Sequence, residues 1–469
     1  MRHSAMDLET ILTPGLGNAT YLLASGGEAV VVDPPRDAWR VTSLAEARGW
    51  RLTHVVETHV HNDYLSGALE LRAALGSEIV APARGRYGFA HRGADEGDVL
   101  ELAGLRLVAR ATPGHTPEHL AWEVFDDASR HPAAVLTGGS LLVGSAGRTD
   151  LLGREATDEL TGAQFASLRA LAELPDEVEV LPTHGPGSFC TAGPLDGART
   201  STMGRERRTN PLLAAPDETA FRAALLGGLS GYPTYYASMA AINRAGPPVI
   251  GRPAVPPELD GAGMATAVAT GAHVVDARPR AGFAASHLPG SVNIELTDTF
   301  ASYVGWFIPF GAAVALVLPD PVPDALEEAT IQLFRIGYDR VAGVLAGGLA
   351  TWEASGGATE SYPTTTIGAL HEQALAGANG YALDVRDPHE WHEDGVVPGA
   401  MRIPLGDLAD QLASMPRDAP VTVMCKSGAR ASIAASLLDA AGVDVRLIAR
   451  GGAPDWPTKD APTPDAPPR

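Results

Sequence analysis

Two groups of side chains in this sequence could do chemistry: histidines in the first half and a cysteine near the end. The segment Thr58-His-Val-His-Asn-Asp-Tyr64 follows an apolar stretch, and His115 and His184 each lie in a short loop with Pro or Gly. Imidazoles that converge from loops at strand ends are typical ligands of zinc or iron. The pattern predicts a metal site formed by three or four of these histidines.

The roles of Asp63 and His184 stay open. Asp63 and His184 could supply an additional ligand, or they could orient a ligand histidine through a hydrogen bond. Asp33 also ends a predicted strand, and we interpret it as a structural residue that holds the loops rather than as a ligand.

The second reactive group is Cys425, in the loop Cys425-Lys-Ser-Gly-Ala-Arg430 between an apolar strand and a predicted helix. A thiol at a helix N-terminus meets backbone N–H groups and the positive end of the helix dipole, which favour the thiolate. Lys426 and Arg430 add positive charge, so the loop predicts a catalytic sulfur nucleophile rather than an inert buried thiol. The residues expected to cradle a persulfide anion are Ser427, Gly428 and Ala429.

Alternating strands and helices must position these groups. Apolar segments predict strands at 29–32, 52–58 and 105–110, and helical patterns lie at 66–75 and 164–174. Alternation of this kind predicts sheets covered by helices, an α/β fold class.

The second half contains an internal repeat. Residues 275–294 recur as 383–402, and Gly347-Gly-Leu-Ala-Thr-Trp352 recurs as Gly451-Gly-Ala-Pro-Asp-Trp456. The repeat indicates a duplicated domain of about 100 residues, longer than solenoid repeats. At the position of the cysteine the first copy reads Val314-Ala-Leu-Val-Leu-Pro-Asp-Pro-Val-Pro323, so we predict that it is inactive and has a role in domain docking or in substrate access.

With 469 residues, about three domains are expected at roughly 150 residues each. The predicted boundaries are 1–250 for the histidine domain with a helical extension, 258–358 for the first repeat, 363–460 for the second, and 461–469 for a disordered tail.

The loop at Cys425, with Leu383-Asp-Val-Arg386 and Val397-Pro-Gly-Ala400 upstream, resembles the rhodanese family of sulfurtransferases. The nucleophilic cysteine of the family matches Cys425. The resemblance implies sulfur transfer through a Cys425 persulfide, with thiosulfate, a persulfide or a thiol as small-molecule partner. It also implies that the first repeat is a rhodanese-like domain without activity.

The order Asp33, His59-x-His61-x-Asp63, His115 and His184 resembles the metallo-β-lactamase fold, an αββα sandwich. Two further segments are most similar to its persulfide dioxygenase branch, some members of which are fused to rhodanese domains: Gly147-Arg-Thr-Asp-Leu151 and His184-Gly-Pro-Gly-Ser-Phe-Cys190. This resemblance implies oxidation of a low-molecular-weight thiol persulfide to sulfite at a mononuclear Fe²⁺.

Two departures from the family pattern qualify that implication. Tyr64 follows Asp63 where the family has histidine, and Thr137-Gly-Gly139 has no aspartate after its first glycine. The chain therefore lacks residues of a two-metal hydrolase and the carboxylate of a two-histidine, one-carboxylate iron site. What remains of the family's site is His59, His61 and His115, enough for a three-histidine metal site. Three functions stay open: a bifunctional persulfide dioxygenase and sulfurtransferase with Fe²⁺, a sulfurtransferase whose first domain is degenerate and metal-free, and a thioester hydrolase with Zn²⁺.

Charge and hydropathy argue against several other classes of protein. The formal net charge of −21 argues against a nucleic-acid partner. No secretory signal is visible, so a cytoplasmic protein is expected. The uncharged stretch 299–319 is interrupted by Gly and Pro, and its end 312–318 predicts a buried strand rather than a membrane span. The second cysteine, Cys190, is interpreted as a buried thiol or a sulfur relay; the sequence identifies no substrate-binding residue and leaves a homodimer open.

Overall fold

The structure is a computed structural model that describes residues 6–126, 129–193 and 197–457. The chain forms two compact units. The first comprises Met1–Ala254 and Ile331–Asp339, and the second comprises Val255–Thr330 and Arg340–Arg469. The predicted tail 461–469 lies outside the described residues.

The first unit contains fourteen strands and six helices among its described residues. The strands are β1 Asp7–Thr13, β2 Asn18–Ser25, β3 Glu28–Val32, β4 Arg51–Val56, β5 Glu78–Pro82, β6 Arg92–Ala94, β7 Val99–Leu102, β8 Leu105–Ala111, β9 Leu120–Asp126, β10 Ala134–Gly138, β11 Leu141–Leu142, β12 Ser145–Ala146, β13 Glu179–Pro182 and β14 Ser201–Thr202. The helices are α1 Trp39–Arg48, α2 Ala68–Leu75, α3 Arg154–Leu171, α4 Met203–Thr209, α5 Glu218–Gly227 and α6 Tyr236–Ala245.

These strands form two six-stranded sheets and a small hairpin of β11 and β12. The first sheet has the order β1-β2-β3-β4-β5-β6, antiparallel up to β3 and parallel from β3 onward. The second has the order β14-β13-β10-β9-β8-β7, in which only β10 and β13 run parallel.

Strand β2 explains why the two sheets stack. Its side chains point alternately to the two faces of the sheet, because a strand has a period of two. Tyr21 and Leu23 pack with residues of the second sheet, whereas Leu22 and Ala24 pack with α1 and α2. A third apolar cluster lies between the second sheet and the helices α3 and α5. The result is the predicted αββα sandwich.

The second unit contains two sheets of five parallel strands. Its strands are β15 Glu258–Leu259, β16 His273–Asp276, β17 Val292–Asn293, β18 Val314–Val317, β19 Val341–Leu345, β20 Thr364–Thr365, β21 Tyr381–Asp384, β22 Met401–Arg402, β23 Val421–Met424 and β24 Val445–Ile448. Its helices are α7 Gly261–Ala269, α8 Arg280–Ala285, α9 Phe300–Phe307, α10 Val322–Arg335 (which ends in the first unit), α11 Gly348–Ala354, α12 Ile367–Leu375, α13 Pro388–Glu393, α14 Leu408–Gln411 and α15 Ala429–Ala440.

The two sheets have the same topology, β15-β19-β18-β16-β17 and β20-β24-β23-β21-β22. The repeated motifs therefore occupy equivalent places. Asp276 ends β16 and Asp384 ends β21, which are the second strands of their sheets in chain order. Each carboxylate ion-pairs with the arginine two residues later. This equivalence confirms the duplication that the sequence indicates.

The uncharged stretch 299–319 folds as α9, a loop and the buried strand β18, which confirms the predicted strand. None of the helices in the described parts of the chain is long and apolar enough to cross a bilayer.

The end of α10 and the turn after it belong to the first unit. Arg36 is fully buried there and donates two hydrogen bonds to the carboxylate of Asp339, at 2.7 and 2.8 Å. Arg335 donates to Asp37, and its carbonyl oxygen accepts from the backbone N–H of Leu65, directly after the histidine loop. Residues 331–339 thus support the segment that carries His59 and His61.

Candidate functional site

The histidines lie in loops that follow strands of both sheets in the first unit. His59 and His61 follow β4, His115 follows β8, and His184 follows β13. All four side chains are at most 1% exposed.

Three of the histidines share one centre. Donor nitrogens of His59, His115 and His184 all lie within 4.8 Å of one another. The Nε2 atoms of His59 and His184 are 3.3 Å apart, and Nε2 of His115 is buried without a hydrogen-bond partner.

The other nitrogen of each ring is anchored by an acceptor. Nδ1 of His115 donates to the carbonyl oxygen of Arg148 at 2.8 Å, and Nδ1 of His184 donates to the amide oxygen of Asn18 at 3.0 Å. Nδ1 of His59 lies 2.8 Å from the Thr58 hydroxyl, which already donates to Asp33 and so must accept from the ring. With hydrogen on every Nδ1, all three Nε2 lone pairs point into the same centre.

His61, one of the ligands that the sequence predicts, contacts two carboxylates and a hydroxyl group. Its Nε2 lies 3.0 Å from Glu57, 3.3 Å from Asp33 and 3.0 Å from the Tyr64 hydroxyl. Ligand atoms of His61, Asp33 and His59 lie within 4.8 Å of one another, and so do those of His61, Asp63 and His184. Among the residues that the structure describes, His61 forms no such group with His115. The three histidines that converge are therefore His59, His115 and His184, whereas His61 ion-pairs with two buried carboxylates.

The electrostatics separate His61 from the other three. Burial, together with the neighbouring imidazoles, lowers the pKa of His115 and of His184 to about 3 and holds the pKa of His59 well below its usual value. Burial acts against the charged form of His61 as well, but the carboxylates of Asp33 and Glu57 raise its pKa to about 10. The cluster thus consists of neutral imidazoles beside one charged imidazolium.

Neutral imidazoles of this arrangement fit a metal ion. Metal-binding histidines characteristically donate their second N–H to a carbonyl, carboxylate or hydroxyl group, as all three rings do here. Without an ion, the facing lone pairs of His59 and His184 repel each other and the buried Nε2 of His115 has no partner. Asp63 lies 3.5 Å from Nδ1 of His184 and accepts from Asn18, so it contacts the outer side of the ring.

Gly139 is in direct contact with His115. A Cβ atom at position 139 would lie 2.2 Å from Cδ2 and 2.8 Å from Nε2 of that ring. The backbone N–H of Gly139 donates to Nε2 of His119 at 2.9 Å. The imidazole of His115 therefore occupies space that a side chain at residue 139 would need.

Sequence reasoning missed two buried residues of this region, His119 and Glu57. His119 stacks on His59 at 5.0 Å, and both of its nitrogens are hydrogen-bonded, to Thr112 and to the backbone of Gly139. Its spacing of four residues from His115 was the available signal. Glu57 precedes the histidine motif and gave no signal, because a single carboxylate at a strand end is common.

Three other residues of the first unit that the sequence analysis names make hydrogen bonds or ion pairs that hold loops, or are simply buried. Asp33 accepts from the backbone and hydroxyl of Thr58 and from the Thr183 hydroxyl, which joins two of the histidine loops. Arg148 makes a bidentate ion pair with Asp150 at 2.7 and 2.9 Å. Cys190 is fully buried, and burial raises the pKa of its thiol well above the usual value.

The second candidate site is the loop at Cys425 in the second unit. Strand β23 ends at Met424, and α15 begins at Ala429 after Gly428, whose φ of 97° is in the left-handed region. This tight turn brings the backbone N–H of Gly428 to 3.1 Å from Sγ of Cys425. The thiol is 1% exposed.

The two cations of the loop are both ion-paired. Arg430 makes two hydrogen bonds of 2.6 and 2.7 Å with the Glu390 carboxylate and contacts Asp387 at 3.1 Å. Lys426 is half-exposed and lies 3.0 Å from Asp394. Of the three residues predicted to cradle a persulfide anion, Gly428 directs its N–H at the sulfur, and Ser427 and Ala429 are its neighbours in the turn.

Comparison with protein families agrees with this architecture. Residues 12–184 match the metallo-beta-lactamase superfamily, and residues 264–355 and 369–458 each match the rhodanese-like domain. A solved structure of a metallo-beta-lactamase from Staphylococcus aureus subsp. aureus COL superposes with a TM-score of 0.66 at 27% identity, over 73% of this chain and 99% of that one.

Two curated relatives are hydroxyacylglutathione hydrolases. That of Methylococcus capsulatus is 32% identical and covers 48% of this chain and 93% of its own length. That of Methylobacillus flagellatus is 32% identical over 36% of this chain, and the chain spans 62% of its length. The combination of domains supports a metal-dependent enzyme in sulfur metabolism. The chain belongs to the metallo-beta-lactamase superfamily through its first domain, and two rhodanese-like domains follow it.

Proposed function

We propose that this protein is a sulfane-sulfur enzyme with two centres, a sulfurtransferase site at Cys425 and a persulfide-oxidising metal site at the histidine cluster. The observation that carries the proposal is the backbone N–H of Gly428 directed at Sγ of Cys425 at the start of α15. A backbone donor at a helix N-terminus stabilises an anionic sulfur.

The transfer has two balanced steps. The Cys425 thiolate attacks the sulfane sulfur of thiosulfate; a new S–S bond forms, the old one breaks, and sulfite leaves with the electron pair. A thiolate acceptor then attacks the outer sulfur of the Cys425 persulfide, and the cysteine thiolate leaves. The backbone N–H of Gly428 stabilises the anionic sulfur at both stages, and half-exposed Lys426 attracts the anionic substrate.

At the other centre, His59, His115 and His184 would hold the metal, with His184 in place of the His61 that the sequence predicts. An Fe²⁺ ion bound there would supply the activation of O2 for persulfide oxidation. In that reaction a thiol persulfide, O2 and water give the thiol and sulfurous acid, which balances in atoms and electrons. The residues of the chain keep the site dry and hold the three Nε2 lone pairs inward through their Nδ1 anchors.

The two activities are separable by experiment. Cys425→Ser should abolish sulfur transfer from thiosulfate to cyanide or a thiol, and chelators should leave that transfer unchanged. Oxygen uptake with glutathione persulfide should require Fe²⁺ and disappear in His115→Ala. If iron-loaded protein consumes no oxygen with any persulfide while transfer persists, the first domain is a degenerate scaffold and the oxidase half of the proposal is wrong.

A second candidate for the first domain is a Zn²⁺ thioester hydrolase, because relatives of that domain carry the name hydroxyacylglutathione hydrolase. Tyr64 and Gly139 weigh against it, since they replace residues of a two-metal site. Hydrolysis of a lactoylglutathione-type thioester by zinc-loaded protein, lost in His184→Ala, would favour the hydrolase over the oxidase.

A further inference from the structure

The peptide group between Ser427 and Gly428 is held from both sides. Its N–H donates to Sγ of Cys425 at 3.1 Å, and its carbonyl oxygen accepts from Nη1 of Arg280 at 2.8 Å. In a trans peptide the N–H and C=O bonds point in opposite directions. A group that holds the carbonyl outward therefore directs the N–H inward, toward the sulfur.

Arg280 comes from the first repeat, which has no cysteine of its own. It begins α8, and its Nη1 also reaches the carbonyl oxygen of Ala449 at 3.3 Å. Glu295 of the same repeat holds Arg280: its carboxylate accepts from Nε at 2.9 Å and from the Arg280 backbone N–H at 2.8 Å. The side chains of both residues are largely shielded from solvent, at 22% and 17% exposure.

Gly428 is required for this close approach. A Cβ atom at residue 428 would lie 2.4 Å from the carbonyl oxygen of Ala449 and 2.5 Å from Nη1 of Arg280. The guanidinium thus lies directly against the turn that carries the N–H donor, at a place where only glycine fits.

We propose that Arg280, clamped by Glu295, is a positioning residue for the Cys425 site, so that the inactive repeat completes the anion cradle of the active one. The inference rests on the proposed sulfurtransferase function for its significance. When Arg280 is removed, the Ser427–Gly428 peptide loses the partner of its carbonyl and is free to rotate. The thiolate and the persulfide anion then lose their backbone donor.

The test measures the pH dependence of Cys425 alkylation by iodoacetamide in the full-length protein, with the modified peptide identified by mass spectrometry. In Arg280→Met the midpoint of alkylation should move to higher pH by about one unit, the loss expected for one hydrogen bond to a charged group. Arg280→Lys, which keeps a donor but loses the bidentate clamp, should lie between wild type and Arg280→Met. The matched control is Arg417→Met, because Arg417 also donates to backbone carbonyls, at the other end of α15.

Glu295→Ala separates positioning from simple charge. Removal of a carboxylate would by charge alone move the alkylation midpoint to lower pH. Loss of the clamp on Arg280 should move it to higher pH instead. An unchanged midpoint in Arg280→Met, or a lower one in Glu295→Ala, overturns the proposal, with circular dichroism reporting that each variant is folded. Since alkylation requires no transfer activity, this result is independent of whether thiosulfate is the substrate.

Discussion

The Nε2 atoms of His59 and His184 face each other at 3.3 Å inside a fully buried cluster. Each ring has its Nδ1 hydrogen directed to an acceptor, so neither Nε2 carries a proton to share in the neutral form. Two facing lone pairs in a dry site are unfavourable, and a cation bound between them and His115 would relieve the repulsion.

His184→Ala should weaken Fe²⁺ or Zn²⁺ binding at least about 100-fold, because it removes a donor and its hydrogen-bonded support. Metal content after dialysis against a graded chelator series measures the effect. His54→Ala is the matched control, since His54 lies on β4, the strand before His59, and its imidazole pairs with Glu78 away from the histidine cluster. Equal metal retention in both variants would exclude His184 as a ligand.

Gly139→Ala should destabilise the protein by roughly 1–3 kcal/mol, because the new methyl group would displace the ring of His115. For the same reason Gly139→Asp should reduce metal binding instead of building a second site. Gly227→Ala is the control: no atom lies within 4 Å of a Cβ there, and the helix end should gain up to about 1 kcal/mol. Thermal unfolding measures the stability lost in Gly139→Ala and the stability gained in Gly227→Ala. A Gly139→Asp variant that binds more metal than wild type would contradict the packing argument.

Cys425→Ser should reduce sulfur transfer to background, whereas Cys190→Ala should leave it within about twofold of wild type, as expected for a buried thiol that belongs to the other unit. Cys190 is fully buried and burial raises its thiol pKa, so it is a poor nucleophile. Steady-state assays with thiosulfate and cyanide make the comparison. A loss of transfer in Cys190→Ala with unchanged unfolding would establish a relay between the two thiols.

The stability of the protein should depend on Glu390 in mildly acidic solution. Burial alone would raise the pKa of Glu390, but the hydrogen bonds and charge of Arg430 outweigh it and lower that pKa. A carboxylate with a lowered folded-state pKa contributes stability above its unfolded value, and the contribution disappears as pH falls through the folded value. The stability difference between wild type and Glu390→Gln should therefore be largest at neutral pH and shrink below about pH 4.3.

Urea unfolding of Glu390→Gln at several pH values tests this dependence. The control is Glu393→Gln, an exposed position on the same helix α13. A constant difference between wild type and Glu390→Gln across that pH range would show that the ion pair with Arg430 contributes no pH-linked stability.

Much of the architecture was predictable from the sequence because it depends on local patterns. The duplication, the buried strand before Cys425 and the histidine loops after β4, β8 and β13 follow from strand periodicity and Gly/Pro turn chemistry, which act over a few residues. The family resemblance of both halves follows from the same motifs. Cys425 and its loop were therefore predicted as the candidate nucleophilic site without coordinates.

Whether His61 or His184 lies with His59 and His115 depends on the tertiary structure. In the sequence His61 is the partner of His59, but folding brings the buried carboxylates of Asp33 and Glu57 to its ring, and their charge keeps it protonated. His184 follows β13 of the second sheet, and its Nδ1 donates a hydrogen bond to the amide oxygen of Asn18. The contacts of the inactive repeat with the Cys425 loop were equally invisible, because Arg280 and Ser427 are far apart along the chain.

The two cysteines also show which facts follow from the sequence and which follow only from the tertiary structure. The sequence by itself determined that Cys425 sits at a helix N-terminus, since strand, turn glycine and helix are consecutive. Only the tertiary structure decided that an arginine from another domain holds that turn, and that Cys190 is enclosed beyond the reach of solvent. Local backbone preferences determine the first kind of fact, whereas burial and long-range electrostatics, which sum over distant residues, determine the second.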